Sequence, residues 1–281
     1  MKYIKIGGIE YEILPHFQRL KKIFFGNPVM NYLLPRRMML YLLDKSGSPL
    51  FKESLERPGG WRAMEIMYEN KRPRSFFDGM AIRYGVFSMA IRNRKKLVKQ
   101  FLHKAFDRHL EEERIIIVSV GSGPGTHVID AMADHHHEGV HAYCIDFDGD
   151  AFEFGEKHKH EHGLAHRVKY IEGDARDLHQ HVSVVPHIVK MIGLLEYLSD
   201  EECIEMFRVM NDALAPGGNL ITSGLIDRHK QSRFLSRIFN WHLNFRTADD
   251  VIRLLKAASF TNFEISMEPM GIFPVILAEK E

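Results

Sequence analysis

The sequence is poor in the features that mark secreted, membrane-spanning or metal-stapled proteins. Only two cysteines occur in 281 residues, Cys144 and Cys203. They lie far apart in apolar contexts, so neither a disulfide framework nor a thiolate zinc site is supported. No apolar run approaches the roughly 18 to 20 residues needed to span a bilayer, and Met1–Lys5 leads into no signal-peptide core. No transmembrane segment and a cytoplasmic location are therefore expected. Hydrophobic residues make up 45% and charged residues 27%, a balance that excludes intrinsic disorder and predicts a sizeable core, in one large α/β domain with an appendage or in two small domains.

The overall charge of +1 conceals an asymmetry. Residues 1–110 hold 22 Lys and Arg against 9 Asp and Glu, a balance of +13, while the remainder holds 16 against 28, a balance of −12. A basic segment beside an acidic one suits the steering of an anionic small molecule, a nucleic acid or a membrane surface. It suits equally the attraction of one segment for the other.

Residues 1–110 read as a mostly helical cap, interrupted at Pro28, Pro35, Pro49, Pro58 and Pro73, each of which tends to end a helix just before it. The alternation around Gly7-Gly8 predicts a small hairpin within residues 1–14, and a nearly uninterrupted helix is expected from Phe76 to His109, carrying Arg92, Arg94, Lys95, Lys96 and Lys99. Residues 111–281 read as a second domain. From Ile115 strand and helix patterns alternate, as in a doubly wound parallel sheet. IIIVSV (115–120), HAYCID (141–146), VKYIEG (168–173), VVPHIVKMIG (184–193) and NLITSG (219–224) supply five strands, and 263–268 and 272–280 supply a final pair, one strand of it antiparallel.

VSVGSGPGTH (118–127) reads as strand, glycine-rich turn and helix start. Gly121, Ser122, Gly123 and Gly125 allow close backbone approach to a ligand, and the helix N-terminus offers N–H groups to an anion. The spacing G-x-G-x-G differs from the G-x-G-x-x-G that accommodates a dinucleotide pyrophosphate, which disfavours an NAD enzyme. Asp146 ends the second strand 25 residues after Gly121, where a carboxylate can accept both ribose hydroxyls of a nucleoside. Asp174 follows the third strand in GDARDL, in reach of an adenine amine. Asp148 and Asp177 are its neighbours and rivals.

With these residues in order, together with LAPGGNLI (214–221) and MIGLLEYLSDEE (191–202), the chain resembles the class I S-adenosylmethionine-dependent methyltransferases over about residues 110–281. The resemblance implies a Rossmann-like α/β fold, a doubly wound seven-stranded sheet with the last strand antiparallel. It implies S-adenosyl-L-methionine as cofactor, with Gly121 to Gly125 lining the methionine part, Asp146 at the ribose and Asp174-Ala175 at the adenine. Phe147 and Gly193 join that set as cofactor contacts. The segments 83–97, 192–198 and 241–260 are similar to a bacterial subgroup of small-molecule methyltransferases, in which the position of His187 is often acidic.

Methyl transfer from a sulfonium needs positioning more than a protein nucleophile. The sequence lacks an Asn/Asp-Pro-Pro-aromatic motif and a catalytic cysteine pair, which disfavours adenine, amide and pyrimidine-carbon acceptors. Nucleic acid is an improbable partner, and a small-molecule acceptor is expected. Glu196 is the candidate general base, or else a carboxylate at a helix start. Tyr197 reads as a donor-stacking ring or as core. Arg83 and Tyr84 are placed in a lid of the basic cap, Tyr84 as a candidate catalytic residue. Trp241 and Arg246 fall between the fifth strand and its helix, Arg246 pairing an acceptor carboxylate or lying at the surface.

Fourteen of the 17 histidines fall between 103 and 187. His158 and His162 have the i, i+4 spacing that can chelate zinc, but no HExxH glutamate accompanies them and the tracts fall on outer helices, so solvated polar faces and no metal are expected. The sequence reads as a methyltransferase acting on a small, anionic molecule. The alternatives are an S-adenosylmethionine-using aminocarboxypropyl transferase or cyclase, similar to nicotianamine synthase, and an RNA- or membrane-surface-binding protein with a vestigial nucleoside site. Oligomeric state is not encoded in any readable feature.

Overall fold

An antiparallel hairpin opens the chain, β1 (Lys2–Ile6) and β2 (Ile9–Ile13) pairing across the Gly7-Gly8 turn from Lys2 opposite Ile13 to Ile6 opposite Ile9. The computed structural model describes residues 2–21, 26, 28–73 and 75–281, so Met1 of the expected hairpin segment lies outside the described residues. Packing divides the chain into two compact units. The first is discontinuous, comprising residues 1–96, 225–245 and 267–273; the second comprises 97–224, 246–266 and 274–281. This division differs from a single cut near residue 110.

Within the first unit, helices Arg36–Lys45, Pro49–Glu56, Trp61–Glu69 and Phe76–Ile82 succeed one another. The long helix expected from Phe76 is broken at Arg83-Tyr84-Gly85 and resumes as Val86–Arg108. The amide N–H groups of Arg83 and Tyr84 both reach back to the Gly79 carbonyl, at 3.0 and 3.2 Å. At Gly85 a Cβ would stand 2.1 Å from the Ala81 carbonyl oxygen, which leaves room for glycine alone.

Val86, Met89, Ala90 and Ile91 form a buried cluster with Leu225, Ile272 and Phe273, so the late segments complete a core begun by the early ones. A second cluster joins Met39 and Leu43 to Leu235, Ile238 and Phe239 of helix Ser232–Phe239. The i, i+3, i+4 spacing of those last three makes one apolar stripe. Asp227 accepts the amide N–H groups of Gln231 (2.7 Å) and Ser232 (3.3 Å) at its start, and Asn240, left-handed with φ of 52°, ends it.

The second unit is built on β3 (Ile115–Val120), β4 (Val140–Asp146), β5 (Val168–Glu172), β6 (Ile188–Met191), β7 (Asn219–Ser223), β8 (Phe260–Met267) and β9 (Pro274–Lys280). They make one seven-stranded sheet in the order β5-β4-β3-β6-β7-β9-β8. β5, β4, β3, β6 and β7 are mutually parallel and β9 runs antiparallel to β7. All six residues of β3 are buried, as a β-branched run covered on both faces should be. Helices Thr126–Asp134, Asp150–Glu161, Asp200–Ala213 and Ala248–Ala257 accompany it, the last two opened by capping boxes at Ser199/Glu202 and Thr247/Asp250. Lys99 pairs with Asp134, Lys104 with Glu264 at 2.9 Å, and Arg108 with Glu264 and Glu279. Cations of the basic segment are thus matched by carboxylates of the acidic one. Among the described residues no helix is long and apolar enough to cross a membrane.

Candidate active site

Because β3, β4, β5 and β6 are parallel neighbours, their carboxyl ends lie side by side, with Val120 opposite both Ile145 and Met191, and Asp146 opposite Glu172. The glycine turn, Asp146, Asp174 and Gly193, separated by up to 72 residues in sequence, therefore converge on one edge of the sheet. Ligands of open α/β sheets bind at this edge.

The turn after β3 is held from several sides. The Ser122 amide donates to the Ile145 carbonyl at 3.1 Å and its hydroxyl to the Gly123 carbonyl at 3.0 Å. The Gly123 amide donates to Asp146 Oδ2 at 2.7 Å, while the Asp148 amide donates to Asp146 Oδ1 at 3.0 Å. The Asp146 carboxylate, half-buried, is oriented by two backbone donors, and acceptor capacity remains on its oxygens for hydroxyl groups. The Gly173 amide donates to the Asp146 carbonyl at 3.0 Å, which brings the GDARDL segment alongside.

Gly125 is the tightest point of the turn. Its φ is 75°, and a Cβ there would come within 2.9 Å of Cys144 Sγ. The next residue begins helix Thr126–Asp134, so the helix start sits directly on β4. Tyr170, on β5, donates its hydroxyl to the Pro124 carbonyl at 2.8 Å. Burial raises its phenol well above the usual range and pushes the Cys144 thiol up to about 12. The support beneath the turn is therefore neutral. Tyr170 and Cys144 were missed in the sequence reading. Their alternation on β5 and β4 marks them as inward-facing, but only the register, which sets Cys144 opposite Tyr170, shows the shared target.

Asp174 is half-exposed and caps the single 3-10 turn Ala175–Asp177, accepting the Arg176 amide at 2.9 Å and pairing with its guanidinium at 3.3 Å. Phe147 is 79% exposed, a large ring left uncovered beside Asp146.

Past β6, Gly193 has φ of 84° and leads into a short 3-10 turn, Leu195–Tyr197. Glu196 is buried and Tyr197 half-exposed. Glu196 lies in this 3-10 turn, and the next α-helix starts only at Asp200, with Ser199 as its cap. Arg246 is buried. Its Nε donates to Asp200 Oδ1 at 2.9 Å, Nη1 to the Leu195 carbonyl at 2.6 Å and Nη2 to the Leu198 carbonyl at 2.7 Å. Arg246 is therefore not a surface guanidinium, and these contacts direct its donors at the turn after β6 and at Asp200. Its guanidinium brackets the turn that carries Glu196 and Tyr197.

Three of the sequence candidates belong to the first unit. Arg83 and Tyr84 sit at the helix break, Tyr84 half-exposed, and the Arg83 carbonyl accepts Arg92 Nη2 at 3.3 Å. Trp241 packs edge-to-face on Phe87 with centroids 5.6 Å apart. His187, just before β6, extends the sheet: its amide donates to the Ile116 carbonyl at 2.9 Å and its Nδ1 accepts the Ile116 amide at 3.0 Å.

Residues 76–280 match a protein-family model described as "Putative methyltransferase". The chain belongs to this methyltransferase family. No curated protein matches the sequence. Among solved structures, the fold is shared with a possible exported protein from Bordetella parapertussis, at 19% identity, TM-score 0.67, and 88% and 97% of the two chains covered. It is shared also with magnesium protoporphyrin IX methyltransferase from Synechocystis PCC 6803 with bound S-adenosylhomocysteine, at 12% identity, TM-score 0.57, and 86% and 99% coverage. An O-methyltransferase family protein from Burkholderia thailandensis matches at 15% identity, TM-score 0.55, and 83% and 71% coverage. The methyltransferase fold, with its mixed sheet and antiparallel last strand, is the one anticipated from the glycine turn and the strand pattern.

Proposed function

We propose that this enzyme transfers a methyl group from S-adenosyl-L-methionine to a small, anionic acceptor. The observation that carries the donor assignment is the Asp146 carboxylate, fixed at the end of β4 by the amides of Gly123 and Asp148. The residues present fit such a donor: a half-buried carboxylate for ribose hydroxyls, the exposed face of Phe147 beside it, Asp174 and Ala175 for the adenine, and a glycine-capped helix start for an anionic group. When bound, the donor supplies a methyl group on a sulfonium sulfur, which leaves as a neutral thioether.

The chain's own contribution is then positioning and proton removal. Glu196, buried in the turn after β6, accepts the acceptor's proton in this reading, and Tyr197 offers a half-exposed ring beside it. Arg246 is a positioning residue, holding the carbonyls on either side of that pair. The anionic character of the acceptor is supported by the +13 balance of residues 1–110, since a positive field raises the local concentration of an anionic substrate.

Calorimetric titration with S-adenosylmethionine, S-adenosylhomocysteine and NAD tests the donor assignment. Binding of the first two and not the third is expected, and tight binding of NAD alone would overturn it. Product analysis tests the reaction: S-adenosylhomocysteine marks methyl transfer, whereas methylthioadenosine would mark aminocarboxypropyl transfer or cyclisation instead.

A further inference from the structure

Asp130, His158 and His162 stand apart from the site described above, Asp130 on helix Thr126–Asp134, His158 on helix Asp150–Glu161 and His162 as the residue that caps the end of the latter. His158 and His162 lie one turn apart, and the helix persists between them, the His162 amide donating to the His158 carbonyl at 3.2 Å. Their rings meet edge-to-face with centroids 4.7 Å apart. Asp130 comes from the neighbouring helix Thr126–Asp134, its Oδ1 at 2.7 Å from His158 Nε2. One ligand atom from each of the three lies within 4.8 Å of the other two. In a tetrahedral zinc site with bonds near 2.0–2.1 Å the ligand atoms stand about 3.3 Å apart, so small side-chain rotations close the set.

From this geometry we infer that Asp130, His158 and His162 form a binding site for a divalent transition metal, zinc(II) foremost. Two imidazoles and a carboxylate are borderline ligands that suit zinc. Asp130 and His158 are half-buried and His162 is exposed, so solvent supplies the fourth ligand. The sequence shows the histidine pair but not the carboxylate, which is 28 residues upstream and becomes a neighbour only when the helices after β3 and β4 pack together.

A second cluster among the described residues, Asp107, His135 and His136, is less suited. His135 Nδ1 accepts the His137 amide at 3.2 Å, so in the neutral ring Nε2 carries the proton that it directs at Asp107, 3.1 Å away. With Nδ1 engaged as an acceptor, the His135 ring cannot move that proton to Nδ1, whereas His158, whose Nε2 faces Asp130 at 2.7 Å, can move its own to Nδ1 and leave Nε2 a lone pair for the metal.

A metal held by Asp130 and the histidines ties together the two helices that begin beside Gly125 and Asp148. Its expected role is a clamp, read as stability and not as turnover. The full chain, purified without a histidine tag and stripped with a chelator, is titrated with zinc(II) and followed by elemental analysis and thermal unfolding. One zinc per chain and a rise in melting temperature are expected. His162→Gln, at an exposed position that tolerates the change, and His158→Gln should each weaken zinc binding at least about tenfold, His162→Gln while leaving the zinc-free melting temperature near that of the parent; His136→Gln should leave zinc affinity unchanged. Undiminished affinity in both His162→Gln and His158→Gln, or loss confined to His136→Gln, overturns the assignment. Cobalt(II) substitution gives an independent readout, its tetrahedral absorption bands appearing in the parent and vanishing in His162→Gln.

Discussion

The carboxylate of Asp146 accepts the backbone N–H of Gly123 at 2.7 Å, tying the end of β4 to the turn after β3. One side chain thus orders the loop and presents its remaining acceptor sites to the ligand. Asp146→Ala removes both contributions. A charge-assisted hydrogen bond is worth about 1.5–3 kcal/mol, so calorimetry should show donor affinity reduced roughly tenfold to 150-fold. His158→Ala, on the outer helix, should leave donor affinity unchanged. Equal losses in the two variants would mean that Asp146 is no ligand residue.

The neutral thiol of Cys144 makes a prediction about alkaline stability. Its folded-state pKa is raised from 9.0 to about 12 by burial. A raised thiol pKa favours the protonated, folded form, so the stabilisation is complete below the unfolded value and is lost as pH rises through the folded one. The parent should therefore lose stability between about 9 and about 12, and Cys144→Ala should lose less, by about 2 kcal/mol halfway through that window. Urea unfolding at neutral pH and within the window measures the difference. Parallel curves for parent and variant would contradict it. Alkylation of Cys144 in the native protein should also be slow, limited by opening of the sheet.

Arg246 and Arg253 both reach Asp200 at 2.9 Å, but only Arg246 is buried. Arg246→Ala strands the carbonyls of Leu195 and Leu198 and should cost about 2–4 kcal/mol, with turnover falling more than donor affinity. Arg253→Ala removes an exposed pair and should change neutral-pH stability little. Hydrogen bonds from Arg253 and Arg246 hold the Asp200 carboxyl below its ordinary range, so this stabilisation is present above the unfolded carboxyl value and lost as pH falls through the folded one. Denaturation midpoints on the acid side should shift upward in Arg246→Ala.

In the first unit, Arg92 and Glu12 form a buried bidentate pair, Nε to Oε1 at 2.7 Å and Nη2 to Oε2 at 2.6 Å. Arg92 Nη1 also donates to the carbonyls of Ile82 and Met67, at 2.8 and 3.2 Å. Glu12→Ala leaves that cation buried and uncompensated, and should destabilise by about 3–5 kcal/mol. The double variant Glu12→Leu with Arg92→Met should recover much of the loss in urea titration. A double variant no better than Glu12→Ala would show that the carbonyl contacts of Arg92 matter more than the ion pair.

The sheet was legible because its strands are short apolar or alternating runs, β-branched throughout most of IIIVSV, set between glycine turns and helix patterns, signals that are local. The glycine turn and Asp146 were legible for the same reason, each marked by its place at a strand end. What stayed hidden depended on partners distant in sequence. Arg92 reads as one cation in a basic helix until Glu12, 80 residues away, is found against it. Arg246 reads as a substrate ligand or a surface guanidinium, and its hold on Asp200 and on the carbonyls of Leu195 and Leu198 appears only in the fold. Helix Ser232–Phe239 was missed because its apolar stripe covers barely two turns, too few to stand out from a loop, and its packing partners Met39 and Leu43 precede it by almost 200 residues.

The first unit takes its last segment from residues 267–273, next to the final strand of the second. During synthesis, 177 residues separate Lys96 from Phe273, which at about 5–20 residues per second is a delay of roughly 9–35 s. Through that interval Val86, Met89 and Ile91 wait for Ile272 and Phe273 with their apolar faces uncovered. Apolar surface left open for that long favours aggregation, and deleting residues 272–281 takes Ile272 and Phe273 out of the cluster that Val86, Met89 and Ile91 begin.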